Sequence, residues 1–413
     1  MEDLKVTANG FDFKPAHAAM QRYVDNNLLS GISSAVMVGR DLVDVSCVGW
    51  ADKEARTPLR PDHIFRVFSN TKLITSCAAL LLMEEGKFRL DDAIEKYIPQ
   101  LGNRKVLRQG ATSLDDTEPA RSSITIRQLL SHSSGLSYGF FDPGTVIFQA
   151  LNERGVHNPM TTLAQMVDVL ADLPLIYQPG TTWRYSAGAD ISGYVVEKLS
   201  GMRFGTFLQT RLFAPLGMKD TAFYVPREKL ARLAPVYAGD SAAGRFAEVK
   251  TSPNPIALPI IPPTAPPRFD AGGAGLFSTL LDYARFAQML GNGGALDGAR
   301  ILAPATVEMM GTNMISRKAL EAGIPRPPVH FDSAIGFGLD AQVMLDPRAA
   351  GSLVGKNTMS WHGAFAGWWW VDPANDIVCV GMAQRSGTYP DYVFDDIDQV
   401  QKLVYQALIR PGR

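Results

Sequence analysis

The sequence predicts an α+β chain, in which an antiparallel sheet assembled from both ends is flanked by helices and carries an inserted all-helical lobe. Three observations carry that prediction. β-branched, strand-length runs at residues 32–38 and 42–50 are joined through Gly39-Arg40-Asp41, as an antiparallel hairpin requires. Strand patterns then return near the C-terminus, at 367–372 and 377–384, across the turn Pro373-Ala374-Asn375-Asp376. Much of the long stretch between them has helical spacing and is too irregular for alternating βαβ units, which disfavours a doubly wound parallel sheet.

Taken in order, residues 15–29 place Ala18, Met20, Tyr23, Val24 and Leu28 at helical spacing and stop at Gly31. The hairpin follows. A serine, Ser69, then opens a helix that is apolar almost all round, from Leu73 to Met83, and ends at Gly86, so it belongs in the middle of the molecule. Helical segments are expected at 91–98, 125–132, 162–173, 187–200 and 204–212. The prolines from Pro253 to Pro267 cannot continue a helix or enter a central strand, and read as a fixed connection back to the sheet. A helix at 279–290, a loop-rich region around Pro325, Pro327 and Pro328, the C-terminal strands and a closing helix at 391–409 complete the chain. The expected organisation is a discontinuous sheet lobe, 1–75 with 268–413, and a helical lobe, 76–267, with the active site in the cleft between them.

Composition narrows the function. The 413 residues can bury a large core. Forty basic and 41 acidic residues leave a formal charge of −1 with no cationic block, which argues against a nucleic-acid or membrane-surface binder. Three well-separated cysteines, Cys47, Cys77 and Cys379, suggest neither a disulfide framework nor a cysteine zinc site. None of the six histidines forms His-Glu-x-x-His, so no metal and no cofactor is expected. With no secretory leader pattern and no spanning apolar stretch, the expected location is the cytoplasm.

The chemistry starts at Ser69-Asn70-Thr71-Lys72. Serine and lysine three apart share a helix face, and a hydroxyl at a helix N-terminus lies near N–H groups able to stabilise an oxyanion. By itself the pattern is more simply read as an ordinary cap with a solvated lysine. A serine nucleophile needs a base, and a buried lysine whose charge is suppressed can act as one or as a proton relay. A further proton-handling group is expected, and Tyr185, after the Pro179-Gly180 turn, is the best placed. A third segment, Ser360-Trp361-His362-Gly363-Ala364, offers a glycine for close backbone approach. The Ala364 N–H could there join that of Ser69 in an oxyanion hole, with Trp361 lining the pocket. The three tryptophans 368–370 must face both sides of a sheet.

These pieces, in this order, resemble the serine β-lactamase and penicillin-recognising superfamily, and within it most closely the family VIII carboxylesterases. The resemblance includes the lead from Asp62 into Ser69, Ile124-Thr125-Ile126-Arg127-Gln128-Leu129-Leu130-Ser131-His132-Ser133-Ser134-Gly135-Leu136, the approach to Tyr185, Ala214-Pro215-Leu216-Gly217-Met218, and Gly272-Gly273-Ala274-Gly275-Leu276-Phe277-Ser278-Thr279. It implies a β-lactamase/DD-peptidase-like fold, Ser69 as the acylated nucleophile, Lys72 as its proton partner and Tyr185 as base or proton shuttle. It places Tyr138, Trp361, His362 and Gly363 at the substrate pocket. Trp361-His362-Gly363 falls where β-lactamases have Lys-Thr-Gly, and Ala187 where class C enzymes carry the asparagine of Tyr-x-Asn. Losing both groups, which hold a β-lactam's carboxylate and amide, points to neutral ester substrates.

One rival motif is present. Gly135-Leu136-Ser137-Tyr138-Gly139 matches the Gly-x-Ser-x-Gly nucleophile elbow, which works only on a strand-to-helix turn; here it follows a helical segment. His132 reads as a structural residue below that loop. The expected activity is hydrolysis of small carboxylic esters by water through an acyl-enzyme at Ser69. β-Lactamase-like or peptidase-like amide hydrolysis and acyl transfer are the alternatives.

Overall fold

The computed structural model describes residues 6–7, 10–140, 143–240, 245–249, 262–323, 334–386 and 392–408. An eight-stranded antiparallel sheet forms its centre. The N-terminal strands β1 (Gly31–Val38), β2 (Asp41–Asp52) and β3 (Thr57–Pro58) make one part. The C-terminal strands β6 (Ile335–Phe337), β7 (Gln342–Met344), β8 (Met359–His362), β9 (Trp368–Asp372) and β10 (Ile377–Ala383) make the other. The order is β6-β7-β8-β9-β10-β1-β2-β3, and the two halves meet where Ile32 pairs with Ala383 and Val38 with Ile377. Two short strands outside this sheet, β4 (Ile64–Arg66) and β5 (Phe277–Thr279), pair with each other and bring distant parts of the chain together.

Both faces of the sheet are covered, which explains why β1 and β10 are apolar and buried nearly throughout. On one face, Ile32, Val36, Trp368, Trp370 and Cys379 pack with Phe13, Met20 and Tyr23 of or beside α1 (Lys14–Asp25) and with Val400, Val404 and Tyr405 of α9 (Tyr392–Leu408). On the other, Ala35, Met37, Trp369, Val371, Val378 and Val380 join the core that contains α2 (Thr71–Glu84) and α8 (Leu280–Gly291). The tryptophans divide as the two-residue repeat of a strand demands: Trp369 points one way, Trp368 and Trp370 the other.

Helix α2 is buried along almost its whole length and ends in a Schellman arrangement. The Gly86 N–H reaches the Met83 carbonyl and the Lys87 N–H that of Leu82, with Gly86 at φ +74°. On α2 packs α6 (Gly188–Ser200), against which α3 (Ile126–Leu130), α5 (Leu163–Ala171) and α7 (Phe204–Leu208) lie, and α4 (Val146–Glu153) adds Ile147, Ala150 and Leu151 to the same core. Thr125 and Thr162 form reciprocal capping boxes with Gln128 and Gln165, so α3 and α5 begin where sequence predicts.

Two expected helices differ. Residues 91–98 form only a 3₁₀ turn at Ile94–Lys96, because Ala93 is extended in a bridge to Thr125 and Pro99 excludes the helical conformation at Ile98. The segment after α7 widens into a π-helical turn, Gln209–Phe213, just ahead of Pro215, which has no N–H to continue an α-helical ladder. The run from Pro253 to Pro259, and Pro325, Pro327 and Pro328, lie outside the described residues.

Candidate active site

Ser69 lies in the 3₁₀ turn Phe68–Asn70 that feeds α2, and it caps nothing: neither this turn nor α2 has a side-chain cap. The ordinary cap reading of the serine therefore fails. Phe68 has φ +45°, a conformation an aromatic residue adopts only under constraint. The constraint is visible, since its ring packs on Phe365 with centroids 4.0 Å apart and the Val67 N–H is held by the Leu276 carbonyl.

Lys72 follows on α2 and is buried. Its Nζ donates to the Gly273 carbonyl at 2.6 Å and stands 3.5 Å from Ser69 Oγ. It also stands over two aromatic faces, Tyr185 at 4.4 Å and Tyr138 at 5.3 Å. The carbonyl and the two π faces fix the position of the amine beside Ser69. Gly273 is in turn fixed by its own N–H, which donates to Asp190 Oδ1 at 2.9 Å. Burial pushes the Asp190 carboxyl up, but His157, Lys72 and this N–H outweigh it and hold the group below the ordinary carboxylate value.

Tyr185 comes from the segment before α6. Its ring lies 4.5 Å from His132, and its Oη accepts the Trp361 Nε1 hydrogen at 3.2 Å. Trp361 is buried, and it also packs with Phe337 and His362 at centroid distances of 5.4 and 5.0 Å. Tyr138 is buried as well, donating to Asp190 Oδ2 at 3.2 Å and stacked on Phe140. Burial, then the Asp190 charge, push the Tyr138 phenol far above its ordinary value, so this phenol stays protonated.

The turn after β8 completes the arrangement. Gly363 lies against the Val67 carbonyl so closely that a side chain there would collide with it, and the Gly363 N–H bonds to Gly367 O at 2.7 Å. Ala364 is exposed at the tip, next to the Phe365 ring that packs on Phe68. The strand from the far end of the chain is thus set beside the Ser69 turn. His362 is pushed down to about 4 by burial, so its imidazole is neutral at neutral pH.

That depression predicts acid sensitivity. Between the ordinary histidine value of 6.5 and about 4, the unfolded chain binds a proton at His362 that the folded one does not. The contribution is complete above 6.5 and is lost as pH falls to about 4; it is on the order of 3 kcal/mol at most, because the residue is not wholly buried. The melting temperature should fall across that window, and fall less steeply for His362→Gln.

Ser137 of the rival motif is buried in the loop after α3, with its hydroxyl directed to the Tyr138 carbonyl, and no strand leads into it. The nucleophile-elbow setting is absent. Sequence reasoning assigned no role to the Gly273 carbonyl, Asp190, Asp340 or Ser186. Gly273 lay inside a quoted motif, but no local pattern shows what a buried carbonyl faces. Among the described residues, no group of three His, Cys, Asp or Glu is placed to hold a metal ion, and no helix is long and apolar enough to cross a membrane.

Known proteins are similar to this chain over most of its length. Residues 16–403 match the family model described as Beta-lactamase. The chain is similar to the lovastatin esterase of Penicillium rubens, 33% identical over 351 residues that cover 80% of this chain and 81% of that protein. It is also similar to the acyltransferase calJ of Penicillium decumbens, 27% identical over 76% of this chain and 74% of the other. Among solved structures, EstCE1, "a hydrolase with promiscuous acyltransferase activity", superposes with a TM-score of 0.78 at 24% identity, covering 95% of this chain and 98% of that one.

Proposed function

This chain belongs to the beta-lactamase family, and from that premise we propose that it is a serine ester hydrolase acting on small, neutral carboxylic esters, of the family VIII carboxylesterase kind. The observation that carries the reading is the convergence of Lys72 Nζ on Ser69 Oγ and the Tyr185 ring, beside a β8 strand whose residue 361 is tryptophan rather than lysine. No cation at that position is offered to a substrate carboxylate. The Trp361 indole N–H is spent on Tyr185 instead.

In this reading Ser69 Oγ attacks the ester carbonyl while its proton passes to the Lys72–Tyr185 pair. The N–H groups of Ser69 and Ala364 receive the developing oxyanion. The pair returns the proton to the departing alkoxide as the carbon–oxygen bond breaks. Water then repeats the sequence on the acyl-enzyme, releasing the acid and restoring Ser69. The substrate sits between a sheet lobe, 1–75 with 268–413, and a helical lobe, 76–267, with Tyr138, Trp361, His362 and Gly363 around it. No cofactor is needed. The three free thiols, of which Cys77 and Cys379 are buried, support a reducing compartment such as the cytoplasm.

A panel of p-nitrophenyl esters of graded acyl length, run beside nitrocefin, tests the proposal. Hydrolysis should be fastest for a short-chain ester, with nitrocefin turned over far more slowly; the reverse order would sink the ester reading. The similarity to an acyltransferase favours a second reading, transfer of the acyl group to an alcohol. It would appear in the same assay as acceptor-dependent ester product at the expense of free acid.

A further inference from the structure

We infer that His132 is the positioning residue for Tyr185: it grips the chain on both sides of that tyrosine and holds the phenol over Lys72. The inference rests on the proposed role of Tyr185 in returning a proton to the leaving group. His132 is wholly buried just beyond the end of α3, at φ +56°. Its carbonyl accepts the Arg184 N–H at 2.7 Å, and its ring Nδ1 accepts the Ser186 N–H at 3.3 Å, with Ser186 Oγ at 3.2 Å. Residues 184 and 186 are therefore tied to one side chain and its own backbone, and the ring of the residue between them lies against the imidazole at 4.5 Å.

The other side of the ring faces a carboxylate. Nε2 stands 3.2 Å from Asp340 Oδ1, and Asp340 Oδ2 accepts the Ser76 hydroxyl at 2.8 Å. Ser76 is four residues after Lys72 on α2, one turn further along the same face. Asp340 is also at positive φ, +58°, and its N–H is held by the Leu130 carbonyl at the end of α3. Two non-glycine residues in this conformation, facing one another in the core, are retained only where the surroundings over-determine them. The result is a continuous set of contacts from the lysine helix, through a carboxylate and an imidazole, to the tyrosine backbone. Because Nδ1 accepts from a backbone N–H, the ring proton lies on Nε2, toward Asp340. Buried as it is, His132 acts through Tyr185.

Leaving groups provide the test. A p-nitrophenolate departs without a proton, whereas an ethoxide needs one, so a misplaced Tyr185 should harm ethyl esters far more than p-nitrophenyl esters of the same acid. The readout is kcat/KM, which reports acylation, corrected for folded fraction by circular dichroism. His132→Gln keeps an amide toward Asp340 but leaves the Ser186 N–H unmet; it should lose on the order of 100-fold on the ethyl ester and less than about 10-fold on the p-nitrophenyl ester. His132→Asn, whose Oδ1 can take the place of Nδ1, should recover most of the ethyl ester rate. If His132→Gln does not fold, Asp340→Asn should show the same discrimination at smaller size. Equal losses on both esters, or no recovery in His132→Asn, would overturn the inference. Discrimination by Tyr185→Phe without discrimination by His132→Gln overturns the clamp alone. No discrimination by Tyr185→Phe removes the proposed role of Tyr185, and the clamp with it.

Discussion

Ser69→Ala should abolish labelling by a fluorophosphonate probe and lower ester turnover by at least about 10⁴-fold, the scale on which loss of a serine nucleophile is felt. Ser137→Ala should leave labelling intact. The contrast is large because the two serines differ in setting. Ser69 is half-buried on a constrained turn, 3.5 Å from an amine that is itself tied to Gly273, whereas Ser137 is buried in a loop with its hydroxyl turned to its neighbour's carbonyl. Alanine at 69 removes only the hydroxyl; the turn, held by Phe68 on Phe365 and by Val67 on Leu276, retains its main contacts, so the variant should melt close to the parent. Labelling that persists in Ser69→Ala and disappears in Ser137→Ala would reverse the assignment.

Tyr185→Phe should lower kcat by roughly 100-fold or more, the usual span for losing a general acid or base. The substitution is specific. The ring that packs on His132 and lies under Lys72 Nζ is kept, and only the oxygen that accepts the Trp361 indole hydrogen is lost. Trp361 Nε1 is then a buried donor without that acceptor, at a stability cost of about 1–3 kcal/mol. Thermal melting and steady-state kinetics together separate the two effects. If turnover falls no further than the loss of folded protein explains, Tyr185 is a packing residue.

Much of the fold was legible because its signals are local. The 31–52 hairpin, the helices expected from 125 and 162 and the three-tryptophan strand each follow from a repeat or a start signal that neighbours alone enforce, the two helices beginning at the Thr125 and Thr162 capping boxes. The expected helix at 91–98 was not, because its conformation is decided by a bridge from Ala93 to Thr125, more than thirty residues away. Ser69 and Lys72 were legible as a pair because three residues on a helix put them on one face whatever surrounds them.

The site as a whole divides in the same way. By itself the sequence determined that Ser69 and Lys72 approach one another, that Tyr185 and Trp361-His362-Gly363 are the segments to watch, and that no lysine occupies the strand position opposite them. Only the tertiary structure decided that the lysine is held by the Gly273 carbonyl and the Asp190 carboxylate behind it. It likewise decided that Trp361 turns its N–H to Tyr185 and that His132 grips the chain around that tyrosine. The reason is physical: a covalent neighbour three residues away is placed by helix geometry. A carbonyl two hundred residues away in sequence is placed only when the β4–β5 pairing and the packing of the sheet bring it there.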